Sequence, residues 1–160
     1  LPDTHTFEKI TLVDVNDSLL EYSQKNLQTE YSCPIETIQC NLFSQKIPSS
    51  IKFNSVGINY VLHCVEGSLE YKIDTLLNNL ENNHAGYGGC GGYTLFGATV
   101  ICDPLHMNTI AEYELMLLNS LGIFNNNLDT YDNLSEYLLN NKIKHKLVKK
   151  GYVALFSIQM

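Results

Sequence analysis

Asp14 closes a short β-branched run, Ile10-Thr11-Leu12-Val13-Asp14-Val15, and an acid at the carboxyl end of a buried parallel strand is placed to meet a ligand. In an open α/β sheet ligands bind beyond the carboxyl ends of the strands, where a carboxylate can accept hydrogen bonds from both hydroxyls of a ribose. The same acid could instead serve the dipole of a following helix as its N-cap. Gly86-Tyr87-Gly88-Gly89-Cys90-Gly91-Gly92 offers backbone amides that could approach a phosphate. Its position argues otherwise, because a nucleotide loop follows a strand and opens a helix, whereas this stretch follows a helix and opens a strand. Cys64 beside His63 suggests an activated thiolate, but neighbours on a strand point to opposite faces, so the histidine is poorly placed to deprotonate it. His84, His106 and His145 are scattered, and Cys33, Cys40, Cys64, Cys90 and Cys102 are odd in number without a CxxC pair. They read as free thiols in a reducing compartment, and no metal is implied.

The elements that must position these residues alternate. After the strand at Ile10–Val15, Asn16, Asp17 and Ser18 offer capping side chains, and Leu19, Leu20, Tyr22 and Leu27 give helical spacing to about Gln28. Ile35–Gln39 alternates as a second strand, Ser55–Leu62 is a third, and Ser68–Leu80 is an amphipathic helix. Tyr93–Ile101 is a continuous apolar strand fit for a sheet interior. Helices are predicted at Met107–Leu121 and Tyr131–Leu139, and Lys142–Val148 with Tyr152–Ile158 forms an antiparallel hairpin turning at Lys149-Lys150-Gly151. Alternating β and α followed by an antiparallel pair predicts an α/β, doubly wound sheet with an antiparallel edge, in a single domain over residues 1–160.

Composition narrows the partners. Seventeen acids face ten basic residues, all lysine, giving a formal charge of −7, which argues against binding nucleic acid through its phosphates. The basic run Lys142–Lys150 is interrupted at alternate positions and reads as a solvated strand face. No apolar run approaches the ~20 residues of a membrane span, and Leu1-Pro2-Asp3-Thr4-His5 has no signal core, so a soluble, cytoplasmic protein without a membrane partner is expected.

Several ordered motifs carry a family resemblance. Leu12-Val13-Asp14-Val15-Asn16-Asp17-Ser18-Leu19-Leu20 resembles the second-strand motif of class I S-adenosylmethionine-dependent methyltransferases. Phe53-Asn54-Ser55-Val56-Gly57-Ile58-Asn59-Tyr60-Val61-Leu62-His63-Cys64-Val65 resembles the fourth-strand motif of a microbial small-molecule subgroup, F-D-S-V-x-x-N-Y-x-L-H-C, followed as there by Gly67-Ser68 and a lysine-bearing helix. Gly92–Val100, Gly122-Ile123-Phe124-Asn125 and Gly151–Phe156 are similar to its later segments. The resemblance implies a Rossmann-like sheet with an antiparallel carboxy-terminal strand, S-adenosylmethionine as cofactor and a small-molecule methyl acceptor covered by the helices between Met107 and Leu139.

Carried over residue by residue, the resemblance implies that Asp14 holds the ribose, that Val15 and Asn16 flank the adenine, and that Asn41 and Leu42 meet the adenine edge. Asn41 departs from the family, which has an acid there; an asparagine carbonyl can still accept, without the charge. Asn59, Tyr60 and His63 would lie on the methyl-facing side. Methyl transfer from a sulfonium needs chiefly alignment, with a base only where the acceptor must lose a proton. A histidine titrating near ~6.5 suits that role, and a structural histidine donating to a carbonyl is the competing reading.

The family's first strand and its glycine-rich turn, which holds the methionine end of the cofactor, have no counterpart in the sequence. An amino-terminally truncated domain is therefore expected, incomplete without another segment or chain, because a sheet lacking its central strand leaves backbone groups unpaired. Two other readings stand beside the methyltransferase: a noncatalytic, methyltransferase-like binding or assembly subunit, and an NAD-dependent oxidoreductase, which shares the ribose-binding acid.

Overall fold

The computed structural model describes residues 7–83, 92–103 and 108–160. The glycines from Gly86 to Gly91, His84, His106 and the opening Leu1–Thr4 lie outside the described residues. The chain divides into two compact units, Leu1–Ile47 and Pro48–Met160.

The first unit is a β–α–β segment: β1 (Ile10–Asp14), α1 (Asp17–Glu30) and β2 (Ile35–Gln39). The strands are parallel, in register from Ile10 opposite Ile35 to Asp14 opposite Gln39. Asn16 caps α1 by accepting the Leu19 amide at 3.2 Å, and Tyr31 ends it by turning extended while its N–H bonds the Leu27 carbonyl. Gln24 Nε2 donates to the Ile35 carbonyl at 2.7 Å, fastening the helix to β2. Leu20 and Ile35 are buried, but every residue of β1 is only half-buried, although its composition reads as a fully buried strand. Among the described residues of this unit β1 pairs with β2 alone.

The second unit holds β3 (Ser55–Asn59), α2 (Leu69–Leu80), β4 (Thr94–Val100), α3 (Thr109–Ser120), α4 (Tyr131–Asn140), β5 (Lys144–Lys150) and β6 (Val153–Gln159). The sheet order is β3-β4-β6-β5. β3 and β4 are parallel, whereas β6 runs antiparallel between β4 and β5. The β5–β6 hairpin closes on Gly151-Tyr152, with Lys150 opposite Val153 and Gly151 at φ 58, the first position of a two-residue turn that glycine favours. The turn thus falls slightly later than Lys149-Lys150-Gly151, because strand alternation fixes the faces but not the length of the pairing. β5 is an edge strand, and Lys144, Lys146 and Lys150 on it are exposed.

Burial follows the helical stripe: Leu69, Ile73, Leu76 and Leu80 of α2 are each at most 2% exposed. Leu62, Ile73, Leu76, Leu95, Leu134, Phe156 and Ile158 close together with no space for a water molecule. Each such side chain contributes roughly 1.5–3 kcal/mol through its removal from water. Gly97 is required where β4 meets β3, since a Cβ there would lie 1.8 Å from the Ile58 carbonyl oxygen. No helix of the described residues is long and apolar enough to cross a membrane.

One predicted boundary is corrected. The strand expected over Ser55–Leu62 stops at Asn59, because Tyr60 takes the left-handed conformation at φ 57 and Leu62–Cys64 forms a 3-10 turn. The Tyr60 amide still bonds the Ala98 carbonyl at 2.8 Å, so the chain leaves the sheet immediately after that bond.

Candidate functional site

Two clusters of the predicted residues occupy carboxyl ends of parallel strands, one in each unit. In the first, the Cys40 amide donates to the Asp14 carbonyl at 3.0 Å, which brings the end of β2 beside the end of β1. Asp14 Oδ1 accepts the Asn16 amide at 2.8 Å and so shapes the turn into α1. The helix cap is Asn16, not Asp14, so the competing N-cap role falls to the neighbour. That leaves the Asn16 carboxamide oxygen engaged, with its NH2 group to offer a ligand. Val15 is 59% exposed, and its carbonyl accepts Gln39 Nε2 at 3.1 Å. Asn41 is exposed; its Oδ1 accepts the Phe43 amide at 2.9 Å, and its own amide donates to Gln45 Oε1 at 3.0 Å. Leu42 is half-buried in the same turn. A ligand hydrogen bond to the Asn41 carbonyl would use the lone pair that the turn leaves over.

In the second cluster Asn59 and Tyr60 are exposed, while His63 is 4% exposed. His63 Nδ1 accepts the Val100 amide at 3.3 Å. A neutral imidazole that accepts at Nδ1 carries its proton at Nε2, so His63 offers a hydrogen-bond donor, and taking up a proton at Nδ1 would cost the Val100 amide its acceptor. Burial, followed by the charge of Lys72, lowers the His63 pKa and keeps the ring neutral. Phe124 meets the ring edge-on at 4.3 Å between centroids, and Tyr60 lies at 6.2 Å. Cys64 shares the 3-10 turn with His63 but is exposed where His63 is buried, and desolvation raises its thiol pKa against the pull of Lys72. The two side chains are therefore separated by a turn rather than by strand alternation, and the thiol is not activated.

Comparison with known proteins bears on this arrangement. No family model matches the chain. Demethylluteothin O-methyltransferase of Streptomyces thioluteus is 30% identical over 148 residues, 92% of this chain and 60% of that protein. Methyltransferase verB of Penicillium polonicum is 30% identical over 157 residues, 94% of this chain and 63% of that protein. The chain is similar to both methyltransferases over more than nine-tenths of its own length. It spans 60% and 63% of the length of these two curated relatives. Among solved structures, OxaC in complex with SAH and oxaline matches with a TM-score of 0.63 at 12% identity, over 95% of this chain and 36% of that one, which shows a shared Rossmann-like α/β fold.

The residues that sequence reasoning missed are buried polar groups of the second unit. Lys72 is wholly buried on α2, and its Nζ donates to Asp129 Oδ2 at 2.6 Å and to the Asn125 carbonyl at 2.7 Å. Asp129 Oδ1 is buried without a hydrogen-bond partner among the described residues, and desolvation, opposed by Lys72, raises the Asp129 pKa. Asn126, also fully buried, donates to the Val100 carbonyl at 3.0 Å and exchanges two hydrogen bonds with Asn119. A signal for Lys72 existed: it sits three residues after Leu69 and four before Leu76, inside the apolar stripe where a charge must find a partner. Asn125 and Asn126 gave none, since consecutive asparagines read as a turn.

Proposed function

We propose that this chain contributes the adenosine-binding and methyl-facing parts of an S-adenosylmethionine-dependent methyltransferase with a small-molecule acceptor. The observation that carries the reading is the Cys40–Asp14 backbone bond, which sets the Asp14 carboxylate and the Asn41 turn side by side at the end of a parallel pair. Asp14 then binds the ribose, Val15 and Asn16 flank the adenine, Asn41 and Leu42 meet its edge, and Asn59 belongs to the same cofactor set. Tyr60, exposed at the strand end, and His63 behind it serve the reaction side. An in-line displacement at a sulfonium methyl depends on aligning donor and acceptor, and a neutral His63 donating from Nε2 suits orientation better than proton removal.

The finer fold reading belongs to the same proposal: a first strand and its glycine-rich turn, holding the methionine end of the cofactor, come from a segment outside these 160 residues or from another chain. Calorimetry with S-adenosylmethionine tests this on the chain and on a form extended at its amino terminus. The extended form should bind, and Asp14→Ala in it should weaken binding at least about tenfold, the loss of a charge-assisted pair of hydrogen bonds. Binding by neither form would favour a noncatalytic subunit, and stronger thermal stabilisation by NAD than by S-adenosylhomocysteine would favour an oxidoreductase.

A further inference from the structure

The second unit places a fully buried ion pair one residue, Asn125, away from the turn that carries His63. Lys72 reaches Asp129 Oδ2 and the Asn125 carbonyl, at 2.6 and 2.7 Å. Asn125 in turn grips the His63 turn twice: its amide donates to the His63 carbonyl at 2.7 Å, and its Nδ2 donates to the Cys64 carbonyl at 3.1 Å. The Asp129 carbonyl accepts the Cys102 amide at 2.7 Å, so the loop is also fastened beyond the end of β4. A buried ion pair is weak evidence for stability, because desolvating two charges offsets much of their attraction, and a pair of apolar side chains would fill the same space at no greater cost. Among the described residues this pair also leaves one carboxylate oxygen without a partner. What the charges do that apolar side chains could not is give the Asn125 carbonyl a donor.

We propose that Lys72 and Asp129 are positioning residues: their pair fixes the Asn125 peptide, and Asn125 fixes the His63–Cys64 turn beside the exposed Asn59–Tyr60 corner. Asp129 orients the Lys72 ammonium, Lys72 orients Asn125, and neither touches the reacting groups. The consequence for chemistry rests on the methyl-transfer reading; the positioning itself does not.

Amide hydrogen exchange on the 160-residue chain tests it, comparing the parent with Lys72→Met/Asp129→Leu, which removes both charges together. The double variant should keep a thermal midpoint at or above the parent's and unchanged protection in β6, while exchange at Asn125 and Val100 accelerates at least about tenfold, as expected of a local opening. Because a variant that merely loosened the fold would speed exchange throughout, Leu134→Ala serves as the control for general destabilisation. Asp129→Asn, which keeps an oxygen for Lys72, should restore most of the protection at Asn125. Unchanged protection at Asn125 in the stable double variant, or a loss spread evenly over β6 and α2, would overturn the proposal. Failure of the amino-terminally extended form to bind S-adenosylmethionine would count against the functional reading alone.

Discussion

The two strand ends that carry the candidate residues are built by opposite means. At the end of β1 and β2 the Cys40–Asp14 and Gln39–Val15 bonds join the strands, but the turns that present the candidate side chains are ordered by local contacts near the surface: Asp14 to Asn16, Asn16 to Leu19, Asn41 to Phe43, each spanning two or three residues. Beyond β3 and β4 the ordering contacts are buried and long-range, with Lys72 and Asp129 57 positions apart and His63 and Val100 37 apart. Turn-built geometry needs only short-range chemistry and tolerates a thin core, whereas network-built geometry exists only when the surrounding unit is folded. A group that must grip an exposed ligand fits the first kind, and a corner that must hold one shape fits the second.

The sharpest way to break this comparison is to remove one member of the network. Lys72→Met alone leaves the Asp129 carboxylate buried and unpaired, and should cost about 3–5 kcal/mol in denaturant unfolding, far more than the double variant. A cost under about 1 kcal/mol would mean that water reaches the pair and that the network is not dry. Next in size, Leu138→Ala, at 0% exposure in α4, should cost about 3 kcal/mol, and Leu20→Ala in α1 about 2 kcal/mol, the thinner unit collapsing more readily around the loss. Equal or reversed costs in the same unfolding experiment would show that the first unit is packed as firmly as the second. The smallest effect concerns pH. Because the His63 pKa is lowered in the folded state, the unfolded chain binds its proton more readily, so stability is intact above about pH 6.5 and declines as pH falls below it. His63→Gln should remove that part of the slope between about pH 7 and pH 5.5, and an unchanged slope would assign it to other groups.

Much of the fold was legible in local pattern. Ile35–Gln39 is a strand over its predicted residues, and the Asn16 capping signal, the apolar stripe of α2 and the closing hairpin all correspond to observed elements. These features depend on neighbours along the chain, which a sequence displays directly. The end of β3 did not, because the alternation through Tyr60-Val61-Leu62 is compatible with a strand and only the left-handed turn at Tyr60 ends it. The same gap affected the second cluster. His63 could be singled out by type, but its Nδ1 partner lies on another strand, and that partner decides which nitrogen holds the proton. Lys72 was visible as a misplaced charge, yet nothing near it in sequence points to Asp129.

The lysines of β5 have a consequence for the molecule among its neighbours. An incoming strand that tried to extend the sheet along β5 would have to press against Lys144, Lys146 and Lys150 and strip water from their ammonium groups. β3, at the opposite end of the sheet order, carries no lysine among Ser55–Asn59. Growth of this sheet along β5 is thereby opposed by the hydration of three charges.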